Sequence, residues 1–296
     1  QPAVSGITPV GLDHTAVLGE TIAAIASEKA GIIKPSTPVI VGRQSPEAAD
    51  VIKIKAKECA APLIDALESV KQRYAAAPNG PGSGQDVMLE GAFGAYRFNL
   101  PLAGKHQVDN ACVAVAAIES FDEREAVSST EATCRGLAAT RWPGRIQVLD
   151  AGLNGTPALL VDGAHTAESA AALVNTVNEM FPRRRKTILI YGGSGGHDFS
   201  ATAAVLNRLD PHVVVTRSRH PKSVDSQSVA SALVSDNVNV ASRMDTTRTA
   251  LAEARRLAGS QDLIIGAGSL AIAAEIIEIE NGMEPEYYPT LNVGAR

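Results

Sequence analysis

Short apolar runs alternate with amphipathic and Ala-rich stretches, and the alternation becomes more regular towards the C-terminus. In the first part, the pattern predicts a loop, a helix around 18–30, a strand at 38–41, a helix at 46–59 and a short strand near 63–66. Pro, Gly, Ser and Asn crowd residues 76–87, which predicts a turn-rich loop. Residues 88–100 predict a hairpin turning at Gly91-Ala92-Phe93-Gly94. An Ala/Val-rich helix of buried type is expected at 107–120, and another helix at 130–138. After Trp142-Pro143-Gly144, strand-like runs at 146–150, 158–161, 187–191, 213–216 and 263–265 alternate with helical patterns at 167–180, 201–209, 226–234, 246–257 and 270–279. Short apolar strands separated by helices imply a mostly parallel sheet covered on both faces, an α/β fold. The boundary expected at this junction gives domains 1–142 and 143–296. Ligands in such sheets sit at the carboxyl ends of the strands. Residues 162–166, 192–198, 217–220 and 266–269 are therefore where chemistry is expected.

Composition narrows the field. Hydrophobic residues make up 45% and charged residues 20% of 296 residues, ordinary values for a globular protein of two domains or one large one. The net charge of −5 argues against nucleic acid or a membrane surface as the main partner. Arg183-Arg184-Arg185-Lys186 stands between a helix pattern and a strand pattern and reads as a solvated helix end. Cys59, Cys112 and Cys134 are odd in number and widely spaced, without zinc spacing, which fits a reducing compartment. The reading is cytoplasmic, with mitochondrial as the alternative if a targeting segment was lost. No apolar run approaches the roughly 20 residues of a membrane span. Gln1-Pro2-Ala3-Val4 lacks both Met and the features of a signal peptide, and it reads as a start within a longer protein.

Several residues are chemically conspicuous. His14 follows Gly11-Leu12-Asp13, and Lys29 ends an otherwise apolar helix in Glu28-Lys29-Ala30-Gly31-Ile32. A neutral imidazole can ligate a divalent metal, and a buried Lys must be paired or lose its charge. Carbamylation would turn the amine into an anion. The plain alternatives are an ordinary His and a Lys that serves the helix dipole. Asn110, near a helix start in Gly104-Lys105-His106-Gln107-Val108-Asp109-Asn110-Ala111, can cap the helix or bond a base edge. Arg145, in Arg141-Trp142-Pro143-Gly144-Arg145, offers a fork suited to phosphate or carboxylate, or to an ion pair between domains. Asp162 and His165 end a strand in Val161-Asp162-Gly163-Ala164-His165. Asp162 is a site candidate or a helix N-cap, though Thr166 would cap better. Ser269, in Gly268-Ser269-Leu270, is placed to cap the last helix. Gly192-Gly193-Ser194-Gly195-Gly196 is glycine-rich but is no G-x-x-x-x-G-K-[ST] loop, and no G-x-G-x-x-G opens a helix after a first strand.

Taken together, the D-H-x-x-x-L-G and E-K-A-G-I segments, the G-x-H-Q-x-x-N-A segment, W-P-G-R and D-G-A-H resemble the folylpolyglutamate and dihydrofolate synthase branch of the Mur ligase family, in that order and over nearly all of the chain. The resemblance implies part of a Mur-ligase central domain followed by a Rossmann-like C-terminal domain that binds glutamate. It implies that His14 and a carbamylated Lys29 bind Mg²⁺, with Lys29 counted as catalytic. Asn110, Arg145 and Asp162 would hold ATP between the domains. His165 would position glutamate for catalysis, with Ser269 at its carboxylate. The implied reaction adds L-glutamate to dihydropteroate or a folate through an acyl phosphate, in a monomer that binds small molecules only. Two features depart from the family. His197-Asp198 stands where many relatives have Lys-Asp, and the family's G-T-N-G-K-G-S phosphate loop is missing from these residues. A truncated chain, inactive by itself, is the expectation. A cell-wall type of Mur ligase and a non-catalytic binding module are the rival readings.

Overall fold

The structure is a computed structural model and describes residues 2–12, 18–77, 79–125 and 128–286. They form two compact units, one of residues 1–78 and 83–141, the other of residues 79–82 and 142–296.

The first unit opens with strand β1 (Ser5–Ile7), helix α1 (Ile22–Ala30), β2 (Val39–Val41), α2 (Pro46–Glu58) and β3 (Leu63–Asp65), the strands pairing in parallel in the order β1-β2-β3. Polar side chains set the helix starts. Thr21 accepts the Ala24 amide ahead of α1, and Ser45 accepts that of Ala48 with Pro46 following at the first turn. Helix α1 therefore begins at Ile22, not at 18, because Gly19 holds a φ of +102° ahead of it. Ile7, Ala30, Ile33, Val39, Val41, Ile52 and Ala56 pack as one apolar cluster.

A short helix α3 (Ala66–Ser69), capped by Asp65, leads into an antiparallel sheet of β4 (Lys71–Ala76), β5 (Gln85–Gly91) and β6 (Gly94–Leu100). Helix α4 (Lys105–Glu125) and α5 (Thr130–Ala138) complete the unit. Apolar residues of α4 (Val108, Ala111, Cys112, Val115) pack with Ile40 of the parallel sheet and with Leu89, Tyr96 and Phe98 of the antiparallel one. The hairpin is locked from beneath by buried Glu119, which accepts the Tyr96 hydroxyl at 2.9 Å and the Phe93 amide at 3.0 Å.

The second unit contains β7 (Gln147–Asp150), β8 (Ala158–Val161), α6 (Ala167–Met180), β9 (Thr187–Tyr191), α7 (Phe199–Leu206) with a 3₁₀ turn at Asn207–Leu209, β10 (Pro211–Val215), α8 (Ser226–Ser235), β11 (Val240–Arg243), α9 (Thr247–Leu257), β12 (Leu263–Ala267) and α10 (Leu270–Glu280). The strands form one six-stranded sheet in the order β11-β10-β9-β12-β8-β7. All pairings are parallel except that of β7 with β8 at the edge. This is the mostly parallel sheet expected from the alternation of strands and helices. Ile188, Ile190, Val214 and Ile264 pack against Ala250, Leu251 and Ala254 of α9 and Ile272 and Ile276 of α10. Alternate strand residues such as Leu189, Val213 and Ile265 point to the opposite face and are equally buried. Helices α6, α7 and α8 each bury apolar positions, among them Leu173 and Val177, Leu206, and Val229 and Leu233.

The basic run, expected as a solvated helix end, lies instead in the turn between α6 and β9, with Arg184 and Lys186 half-buried. Arg184 donates to the Phe181 carbonyl past the end of α6 and to Thr187, while Arg185 forms a two-pronged pair with Asp262. Three strands have no counterpart in the hydrophobic pattern: β1, β4 and β11.

Candidate active site

The loops after β8, β9, β10 and β12 enclose a cavity of about 330 Å³ in the second unit. Its polar lining consists of His165 from the first loop, Ser194 and His197 from the second, Ser218, His220 and Ser223 from the third, and Ser269 from the fourth. Residues from all four segments marked in the sequence thus face one space. Backbone bonds hold the loops together. Gly195 donates to the Lys222 carbonyl at 2.7 Å, Val224 to that of Gly193 at 3.0 Å, and Gly268 to that of Ala164 at 2.9 Å. Gly268 has a φ of +99°, and a Cβ there would come within 2.5 Å of the Gly192 carbonyl oxygen. A side chain at this position would push the second and fourth loops apart.

His165 is oriented by its own turn. Its Nδ1 lies 2.7 Å from the Gly163 carbonyl, which can only accept, so Nδ1 carries the proton and Nε2 of the neutral ring is an acceptor. Its ring stands edge-to-face with that of His197, the centroids 4.5 Å apart. His220 has the opposite tautomer when neutral, because its Nδ1 accepts the Lys222 amide at 3.1 Å. Ser269 does what a cap does, accepting the Ile272 amide at 3.2 Å while lining the cavity. Its hydroxyl proton remains a donor, so both roles expected of it are compatible.

Asp162 is buried beneath this surface and is not a helix cap. Thr166 caps α6. One Asp162 oxygen accepts the Ala164 amide at 2.7 Å and the other that of Ile146 at 2.8 Å. Burial raises its carboxyl to about 6, against the opposing pull of those two amides and the charges of Arg145 and His165. Asp162 thereby ties the strand-end turn to the Trp142–Arg145 segment, where Arg145 is half-buried and Trp142 is 62% exposed. Arg141 is taken up at the end of α5, donating to the Ala138 and Thr140 carbonyls.

In the first unit, Lys29 lines a separate cavity of about 270 Å³ with Gly6–Gly11, Leu18, Ile25 and Ile32. The premise of a buried Lys is corrected: Lys29 is exposed in the last turn of α1, where its charge suits the helix dipole. His14 lies outside the described residues. Asn110 is also corrected as a cap. It sits in the second turn of α4, and its amide donates to Gln107 one turn earlier at 3.2 Å. Beside it, burial would raise Asp109, but hydrogen bonds from Lys105 and Gln72 and the charges of Lys105 and Arg43 hold it below the usual carboxylate range. Asn110 and Lys29 belong to the first unit, and Arg145, Asp162, His165 and Ser269 to the second.

Sequence reasoning singled out His165 and Ser269 but not the convergence on them of Ser194, His197, His220 and Ser223. Strand-end position was the available signal, and it covers all of these except Ser223.

Residues 144–270 match the family described as Mur ligase, glutamate ligase domain. The dihydrofolate synthase/folylpolyglutamate synthase of Mycobacterium tuberculosis is 32% identical over 240 residues, 77% of this chain and 47% of that protein. The chain spans about half the length of this curated relative. Among solved structures, M. tuberculosis folylpolyglutamate synthase complexed with ADP aligns at a TM-score of 0.84 and 28% identity, covering 96% of this chain and 64% of that one. A Yersinia pestis bifunctional folylpolyglutamate synthase/dihydrofolate synthase complexed with AMPPNP and Mn ion aligns at 0.74 and 26% identity, covering 94% and 62%. With the order of its motifs, these matches establish that the chain belongs to the Mur ligase family, on the branch of the folylpolyglutamate and dihydrofolate synthases.

Proposed function

We propose that this chain supplies the glutamate site and part of the ATP site of a ligase that joins L-glutamate to dihydropteroate or a folate. The observation that carries this reading is the cavity lined by His165 and Ser269 at the strand ends of a domain that matches the glutamate ligase family. Phosphoryl transfer from ATP makes the acceptor carboxylate an acyl phosphate, and the amine of glutamate displaces phosphate to form the amide. In this scheme His165 positions glutamate, its ring oriented by the Gly163 bond at Nδ1 so that Nε2 is left for the ligand. The Ser269 hydroxyl donates to a glutamate carboxylate. Arg145 and Asn110 contact the nucleotide, and Asp162 acts there by fixing the segment that carries Arg145.

A divalent metal accompanies ATP in this proposal, as Mn accompanies AMPPNP in the Yersinia relative. The described residues do not by themselves fit the ion. No group of three or more imidazole, thiolate or carboxylate side chains converges among them, and an unmodified Lys29 ammonium repels a cation. The three cysteines are free, in keeping with a reducing compartment such as the cytoplasm. No helix among the described residues is long and apolar enough to cross a membrane.

The test is ADP release by this chain expressed with whatever coding sequence adjoins it. Release that requires both glutamate and either dihydropteroate or a folate is expected. Release that requires a nucleotide-sugar peptide acceptor, or that ignores glutamate, would overturn the reading. Residues 1–296 alone contain no G-x-x-x-x-G-K-[ST] cradle for phosphates and are expected to bind glutamate without turning over ATP.

A further inference from the structure

The charge of the strand-end cavity is unusual in its source. Among the described residues, its polar lining is three imidazoles and four hydroxyls, with no permanent cation and no carboxylate. The nearby permanent charges lie outside this lining. Arg219 pairs with Glu275 and Glu278, Arg217 acts on Asp225, and Asp198 caps α7 through the Ala201 amide. Asp162, below His165, is bonded to two backbone amides, with Arg145 acting on it. Glu168, in the first turn of α6, is exposed. Lys222 is exposed and is not among the lining residues, although its backbone joins Gly195 and His220. Among the residues that line the cavity, positive charge for a ligand carboxylate comes from protonated histidine.

His165 and His197 are the decisive pair. Their rings are 4.5 Å apart and come from different loops, which the backbone bonds described above hold in place. Two imidazolium ions at that separation would repel each other. A carboxylate docked against the pair cancels the repulsion and favours the protonated state. We propose that His165 and His197 take up a proton when an acidic amino acid binds, and that His197 is the residue selecting a ligand with a side-chain carboxylate. This rests on the cavity being the glutamate site. Glutamine, which differs from glutamate by lacking the side-chain charge, gives no such uptake.

Calorimetric titration of the 296-residue chain with L-glutamate, in buffers of different ionisation enthalpy near neutral pH, reads the protons exchanged directly. Uptake of about half a proton or more per glutamate is expected, with affinity rising at least about 10-fold from pH 8.5 to pH 6. His197→Lys should bind glutamate with little uptake and a flattened pH dependence. His197→Gln should lose the preference for glutamate over glutamine, while circular dichroism shows both variants folded. Glutamate binding without proton exchange, or a His197→Lys variant that keeps the wild-type pH profile, overturns the proposal and leaves the glutamate site standing. No glutamate binding by the wild-type chain even at pH 6 instead overturns the assignment of the cavity to glutamate, and the proton linkage falls with it.

Discussion

The Asp162 carboxylate accepts the backbone amide of Ile146 at 2.8 Å, and Ile146 is a buried β-branched residue with a φ of +41°. Such a residue in the left-handed region stores strain on the order of 1–3 kcal/mol and persists only where its surroundings over-determine it. Here the surroundings are a buried acceptor and an apolar pocket. The peptide next to Arg145 is thus fixed by the same carboxylate that shapes the turn leading to His165. One buried acid coordinates the two segments that the proposed reaction uses for nucleotide and for glutamate.

That arrangement makes Asp162→Asn a test with a pH-dependent sign. Burial places the native carboxyl at about 6, against an ordinary value of 3.8 in the unfolded chain. Between those values the native state keeps a proton that the unfolded state has lost. Its stabilising contribution is full below about pH 3.8 and is lost as pH rises through about 6, by on the order of 3 kcal/mol. Asn does not titrate, and it offers one acceptor to two amide donors at a cost of about 1–3 kcal/mol. Asp162→Asn should therefore unfold more easily than wild type at pH 4 and match or exceed it at pH 7.5. Urea melts at the two pH values check this, and a difference that stays constant with pH would rule out the buried titration.

Lys29→Ala separates two roles. As an exposed charge in the last turn of α1, Lys29 contributes about 0.3–1 kcal/mol. As a carbamate in a metal site, it would supply the negative charge that holds the ion. The carbamate role predicts a fall in turnover of about 100-fold or more in the complete ligase, whereas the exposed charge alone predicts a stability change below about 1 kcal/mol and near-normal turnover. Wild-type turnover at saturating ATP and magnesium would remove Lys29 from the metal site, and His14 with it.

Much of this fold is legible from period and punctuation. The bounds expected for β8, α6 and β9 coincide with those observed, because uninterrupted apolar strands and a well-capped amphipathic helix leave little choice. What escaped was weakly patterned. β4 runs Lys-Gln-Arg-Tyr-Ala-Ala at a sheet edge with alternate residues exposed, β11 is the edge strand Val-Ala-Ser-Arg, and β1 has a Gly at its centre. Edge strands carry charge for the same reason that they evade a search for apolar runs. In the site, a strand-end position was enough to single out His165 and Ser269. The contact between His165 and His197 was not legible, because it depends on which strands are neighbours: β12 lies between β8 and β9.

Gly268→Ala tests the tie between the second and fourth loops. The substitution demands a φ of +99° from a residue with a Cβ and drives that atom against the Gly192 backbone and the Tyr191 ring. Neither neighbour is the free end of a flexible side chain, so relief requires moving a strand end. A loss of about 1–3 kcal/mol is expected, accompanied by weakened glutamate binding as the cavity opens. Retention of both stability and affinity would show that the loop adapts and that its backbone does not set the cavity.

Asp262 provides the counterpart at the other end of the sheet. Its side chain is fully buried at the start of β12, where it receives both Arg185 nitrogens at 3.0 Å and the Gly259 amide at 2.7 Å. Burial would raise this carboxyl, but the Arg185 and Gly259 bonds and the charges of Arg185 and Lys186 hold it below the usual range. The sign is opposite to that of Asp162. Its contribution is present above the unfolded pKa of about 3.8 and is lost as pH falls through the lower native value. Asp262→Asn keeps the shape but leaves the guanidinium fork without its second acceptor, and a loss of about 2–4 kcal/mol is expected. For a unit of this size, that lowers the melting temperature by roughly 5–15 °C. Arg185→Lys should cost less, because the ammonium keeps the charge and gives up only the two-pronged geometry. Both substitutions lie at the amino ends of the strands, whereas the cavity is at the carboxyl ends, so glutamate affinity well below the melting temperature should stay within about 2-fold of wild type. Thermal melts paired with calorimetry check both halves. A variant that melts normally, or one that stays folded yet loses glutamate, would show that the two ends of this sheet are not the separate stabilising and binding poles described here.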